Sequence, residues 1–185
     1  MKLVSVFFVF LFSISVTAQT PMEKGTISLN GSLSYSSQSY DGVDESQNIL
    51  MLNPQAGYFI AENFSLGLSL SYINYSLGSA SSTEWGIGPS LRYYLPAEKV
   101  KPFFSLGYGY TKSSHSSNDD KWVGTQFIIT AGIDYFIVKN VALETTISYS
   151  FNNERLPDSY KSYYKNLDQK STTFLMGVGL NYFIY

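Results

Sequence analysis

From residue 24 onward, apolar and polar residues alternate with a period of two. They do so in segments of about ten residues separated by turn chemistry, the pattern of β-strands rather than helices. The first segment sets Ile27, Leu29, Leu33 and Tyr35 against Thr26, Ser28, Asn30, Ser32 and Ser34. The second sets Leu50, Leu52, Ala56, Tyr58 and Ile60 against Asn53, Gln55 and Gly57. Phe64, Leu66, Leu68, Leu70 and Tyr72 oppose Ser65, Gly67, Ser69 and Ser71 in the third, and Trp85, Ile87, Leu91, Tyr93 and Leu95 oppose Glu84, Gly86, Gly88, Ser90 and Arg92 in the fourth. The fifth carries Phe104, Leu106, Tyr108 and Tyr110 opposite Ser105, Gly107, Gly109 and Thr111. In the sixth, Phe127, Ile129, Ala131, Ile133, Tyr135 and Ile137 oppose Gln126, Thr130, Gly132 and Asp134. Val141, Leu143, Ile147, Tyr149 and Phe151 oppose Ala142, Glu144, Thr146, Ser148 and Ser150 in the seventh. The last runs to the C-terminus, with Phe174, Met176, Val178, Leu180, Tyr182 and Ile184 opposite Gly177, Gly179 and Asn181.

The connections alternate in length. Ala61 to Asn63, Pro96 to Lys101 and Lys139-Asn140 are short, whereas Ser36 to Gln47, Ser76 to Ser82, Ser113 to Lys121 and Asn152 to Lys170 are mostly longer and polar. Short turns at one end and longer loops at the other suit an up-and-down barrel that crosses a membrane. Alternation alone does not say which face is inside, because a soluble barrel or sandwich alternates too. The polar face decides. A soluble protein's outer face would carry about a quarter to a third charged residues, but here it is Gly, Ser, Thr and Asn, which suit the crowded interior of a narrow barrel. The charges within the strands, Glu84, Arg92, Asp134 and Glu144, all fall on that face, as lipid requires. The chain is therefore read as all-β: an eight-stranded antiparallel up-and-down transmembrane β-barrel.

Aromatic residues sharpen the picture, because Tyr and Trp favour membrane interfaces. Tyr58, Tyr93, Tyr135 and Tyr182, with Phe64 and Phe104, form one expected girdle near the short turns; Trp85 and Trp122, with Tyr35, Tyr72, Tyr110 and Tyr149, form the other. Pro54 and Pro89 resist a closed sheet, and each predicts a bulge or local kink. Inward Ile128 and outward Asn74 also break the alternation.

Charged residues make up only 14% of the chain, against about 25% in an ordinary globular protein. Net charge is slightly negative and no basic patch appears, so nucleic acid is not an expected partner. Cysteine is absent, which removes a disulfide framework and thiolate metal sites. Lys2, the apolar run Leu3 to Val16 and Val16-Thr17-Ala18 read as a secretory signal, residues 1–18, cleaved between Ala18 and Gln19. Residues 19–185 then form one barrel domain.

Arg92, Asp134 and Glu144 lie near the short-turn ends of their strands and at similar depth, predicting an interior ion-pair cluster. Its expected role is to satisfy buried charge; a gate or proton path is the second reading. An eight-stranded lumen is mostly filled by side chains, so an open pore is not expected. His115, Asp119 and Asp120, like Asp41, Asp44 and Glu45, are read as solvated loop residues rather than metal ligands. No metal, cofactor or catalytic residue is assigned.

The segments Pro54 to Tyr72 (PQAGYFIAENFSLGLSLSY) and Gly88 to Thr111 (GPSLRYYLPAEKVKPFFSLGYGYT), with the closing GVGLNYFIY, resemble the outer-membrane β-barrel domain family of small OmpA/OmpX-like proteins. The resemblance implies a Gram-negative cell outer membrane location, both termini in the periplasm, and insertion by the barrel assembly machinery through the last strand. Tyr185 lies one position beyond the expected apolar terminus. Membrane lipid is the other expected partner, a monomer is expected, and the loops' ligand is unknown. The spacing of His115 to Ser117 superficially resembles the His-x-Ser pairing of small lipid A deacylases, but there the residues face lipid from a strand, whereas this stretch is a Ser-rich loop. The function expected is a non-enzymatic barrel with a structural and surface-interaction role. A lipid-modifying hydrolase and a soluble secreted β-barrel, which would put Ile27, Leu66 and Leu143 in a core, are the alternatives.

Overall fold

A computed structural model describes residues 22–38, 47–78, 80–115, 118–155 and 168–185. The expected signal, with Ala18 and Gln19, lies outside the described residues. Eight strands follow one another: β1 (Ile27–Gln38), β2 (Gln47–Ala61), β3 (Phe64–Leu77), β4 (Ala80–Tyr94), β5 (Val100–His115), β6 (Asn118–Val138), β7 (Val141–Arg155) and β8 (Asp168–Ile184). Each pairs antiparallel with the next, and β8 returns to β1 to close the barrel. Among the described residues no helix is long and apolar enough to cross a membrane.

The alternation resolves as greasy side out. Leu66, Leu68, Leu106, Ile129 and Ile147 are exposed on the barrel wall, while Ser65, Ser90, Arg92, Asp134, Glu144 and Asn181 are buried inside. Ile27 and Leu66, which a soluble core would enclose, are each 41% exposed. That overturns the soluble reading, because such a wall is stable only against hydrocarbon.

At the short-turn end, Asn63 takes a left-handed φ of 59° between β2 and β3, a conformation that asparagine tolerates well. Lys139-Asn140 joins β6 to β7. At the other end two of the expected long loops prove short. The stretch Ser76 to Ser82 is mostly strand, turned at Gly78 (φ 55°), and β5 and β6 continue through Ser113, His115 and Lys121 to leave only 116–117 between them. Polar residues on both faces read as loop, yet a ladder can leave the membrane and keep its backbone pairs in water.

Neither proline makes a bulge. Around Pro54 the β2–β3 register runs from Leu52↔Tyr72 to Gln55↔Ser69 without a shift, and around Pro89 the β4–β5 register runs from Ile87↔Tyr110 to Ser90↔Gly107. Each proline leaves a two-residue gap on one side and stays paired on the other, to Gly31 and Leu68 respectively. The missing N–H thus interrupts one ladder without inserting a residue. Register irregularities fall instead near strand ends, at Phe59/Ala61, Ser114/His115 and Phe136/Val138. The outward Asn74 is answered locally: its amide donates to Thr83 Oγ1 across the strand pair at 3.3 Å.

Candidate functional site in the barrel interior

The interior is layered along the barrel axis. At the short-turn end five rings point inward from five strands: Phe59, Tyr94, Phe103, Phe136 and Phe183. They form one connected chain, Phe103 to Tyr94 at 5.3 Å between centroids, Tyr94 to Phe59 at 5.9 Å, Phe59 to Phe183 at 6.3 Å and Phe183 to Phe136 at 5.2 Å. Met22 is buried with them, and its carbonyl accepts the Asn63 N–H at 2.8 Å. The Phe103 ring lies over Gly132, its cross-strand neighbour, in space that a Cβ would occupy. Together these side chains close the lumen at that end.

On this floor stands the charge cluster. Arg92 Nη1 donates to Glu144 Oε2 in a direct salt bridge from β4 to β7. Its Nη2 donates to Gln55 Oε1 at 3.0 Å, and Nη1 also reaches Tyr94 Oη at 3.1 Å. Tyr94 Oη donates to Asp134 Oδ2 at 2.8 Å, and Asn181 Nδ2 donates to the same oxygen at 2.9 Å. The guanidinium lies 4.1 Å from the Phe103 ring centroid, within the range of a cation–π contact. Arg92, Asp134 and Glu144 therefore meet at one depth, but Asp134 is reached through Tyr94 rather than by a direct ion pair.

Sequence reasoning put Gln55 and Asn181 on the inner face without assigning them a role, and it missed Tyr94 and the inward phenylalanines. The signal was there: Tyr58-Phe59, Tyr93-Tyr94, Phe103-Phe104, Tyr135-Phe136 and Tyr182-Phe183 are aromatic doublets at the short-turn ends of strands. Period-two geometry sends one ring of each out and the other in.

Above the cluster the lumen is not packed solid. A cavity of about 200 Å³ is lined by Asn30, Asn53, Gln55, Ser90, Thr130 and Ser148, with Arg92 and Glu144 at its floor. Ile128, the inward exception, borders it as well. The space is polar and roomy enough to hold water. Side chains thus fill the lumen at the floor and only partly above it.

The girdles follow. Tyr58, Tyr93 and Tyr182 are exposed near the short turns and Tyr135 shares their outward face. At the opposite rim Trp85 is exposed and Tyr72 packs on it at 4.5 Å. Trp122 departs from the expectation. It pairs with Ser113 and shares the inward parity of buried Gly124, so it borders the lumen mouth rather than the lipid. His115 lies at the tip of β5 opposite Ser82, and Ser117 lies outside the described residues.

A family model, Outer membrane protein beta-barrel domain, matches residues 5–184. The chain belongs to that family. It is an outer-membrane protein; in bacterial barrels of this kind the short turns lie at the periplasmic side. Comparison with curated protein sequences found no match. Among solved structures it is similar to the outer membrane protein OprG from Pseudomonas aeruginosa, at 15% identity, TM-score 0.55, covering 88% of this chain and 97% of that one. It is similar to Neisserial surface protein A at 17% identity, TM-score 0.57, with 85% and 95% covered. The N-terminal β-barrel domain of Pseudomonas aeruginosa OprF gives 13% identity, TM-score 0.54, with 87% and 98% covered. At such identities these likenesses speak for the fold.

Proposed function

We propose that this outer-membrane barrel is non-enzymatic, contributes to the integrity of the membrane, and presents its outer strand ends and loops for surface interaction. The observation that carries the reading is the interior floor. Five packed rings and a saturated Arg92–Glu144 pair fill the periplasmic end of the lumen, which suits a scaffold better than a conduit. Arg92 is held by Glu144, Gln55 and Tyr94, and Asp134 Oδ2 by Tyr94 and Asn181, while Asp134 Oδ1 has no partner among the described residues. Catalysis needs a base poised against a nucleophile, and this network holds neither a histidine nor an activated hydroxyl.

The test addresses the hydrolase alternative directly. Outer membranes from cells making the wild type, His115→Ala or no protein are compared by lipid mass spectrometry. The same lipid species are expected in all three. A shortened lipid that appears with the wild type and vanishes with His115→Ala would contradict the proposal.

A further inference from the structure

The barrel is closed unevenly. Strands β1 and β8 pair only over Ile27–Ser32 and Gly179–Ile184, six residue pairs. Both continue well past that point: β1 stays paired with β2 up to Gln38↔Gln47, and β8 stays paired with β7 up to Arg155↔Asp168. Above Ser32 and Gly179, in the outer half of the barrel, the two strands face each other without a ladder. Their outward side chains are correspondingly bare. Leu33 is 62% exposed, Phe174 62% and Met176 70%, against 41% to 49% for the aliphatic Leu66, Leu68, Ile87 and Ile129; Val178 matches Leu180, just inside the paired stretch, at 57%.

The interior cavity reaches this seam. Leu33 on one lip and Leu175, Met176 and Gly177 on the other border the same space as Asn53, Gln55 and Arg92. Asn30, also on the cavity wall, carries a buried Nδ2 with no hydrogen-bond partner among the described residues. Unpaired strand edges are not tolerated against hydrocarbon, because their N–H and C=O groups have nothing to bond. They persist only where water or a ligand can reach them, and here the polar cavity behind the seam supplies that access.

We propose that the outer half of the β1–β8 seam is a lateral portal for an outer-leaflet amphiphile, whose oxygen-rich polar head enters the cavity while its acyl chain lies against Leu33, Met176 and Val178. The two chemistries adjoin: hydroxyl and amide walls with a spare donor inside, bare aliphatic lips outside. The head accepts from Asn30 Nδ2, and its oxygens together with cavity water satisfy the edge amides. A chain seated in the seam recovers the contact that the splayed strands lack. Arg92 and Glu144 lie at the floor of this cavity and are held by each other, so the head docks above them.

Continuing the register beyond Ser32↔Gly179 sets position 33 opposite position 178, and the chain has no native cysteine. A Leu33→Cys, Val178→Cys variant thus allows the seam to be locked by oxidation and released by reduction. The probe is a palmitoyl lysophospholipid with a nitroxide on its head group, added to the full protein in phospholipid nanodiscs. Paramagnetic broadening of the Ser32, Asn53 and Gln55 amide signals is read by NMR. Strong broadening is expected in the reduced form, at least fivefold less after oxidation, and recovery on reduction, with the remaining signals reporting an intact fold. In Asn30→Leu, which needs no disulfide, broadening at equal probe concentration is expected to fall several-fold. Equal broadening in locked and unlocked forms, no broadening in either, or an unchanged Asn30→Leu response overturns the portal. So does protection of the seam amides that grows with protein density, which would show a second copy covering the edge.

Discussion

Arg92 is the residue on which the interior balances. Its charge sits among two rings, Tyr94 and Phe103, and two carboxylates, and its retention rests on Glu144 being in direct contact. Removing one partner of a buried pair costs about 3–5 kcal/mol, whereas replacing both by apolar groups of similar volume is often near neutral. Arg92→Ala is therefore expected to lose about 3–5 kcal/mol in urea unfolding from lipid vesicles, and the Arg92→Met, Glu144→Met pair to recover most of it. Equal losses in the single and double variants would deny that the pair acts as a unit. The three charges were legible because few charges occur within the alternating stretches of these strands and these three share the inward parity. Tyr94 was not, because an aromatic residue suits either face of an outer-membrane strand: its neighbour Tyr93 faces lipid from the same turn of the pleat.

Among the strands, β4 shows how tightly backbone and sequence are matched. Where Pro89 opens the ladder to β5, the two backbones crowd together so closely that a Cβ on Gly88 would overlap the Tyr108 carbonyl. Only glycine fits such an approach. Gly88→Val is expected to prevent formation of the compact, heat-modifiable band on an unheated denaturing gel, while Gly107→Ala, with ordinary contacts around its Cβ position, is expected to retain it. A normal Gly88→Val barrel would show that the close approach relaxes freely. Strand existence and facing were readable from period-two alternation; strand length was not. Beyond the greasy band Ser113, Ser114 and Lys121 carry no alternation, and only the partner strand tells a paired segment from a loop. The prolines were legible as irregularities, but their form depends on which side of the strand lacks a donor.

For the whole barrel, the aromatic floor and the ion-pair tier predict an electrically silent protein. In planar bilayers the wild type is expected to show no stable conductance steps, and Phe59→Ala with Phe103→Ala to show small ones, at a stability loss of about 3–5 kcal/mol per ring. Steady wild-type conductance would mean that the floor does not seal. The closed sheet and its polar lumen were legible because lipid and barrel interior impose opposite chemistries on alternate residues. The cavity and the half-open seam were not, since they depend on how far β1 and β8 run together. The central claim is that the apolar face meets lipid. It is tested most directly with single cysteines at Leu68, Ile129, Ser69 and Thr130, each carrying a small environment-sensitive fluorophore, in vesicles with brominated acyl chains. Strong quenching at Leu68 and Ile129 with little at Ser69 and Thr130 is the predicted result; the reverse pattern would contradict the account.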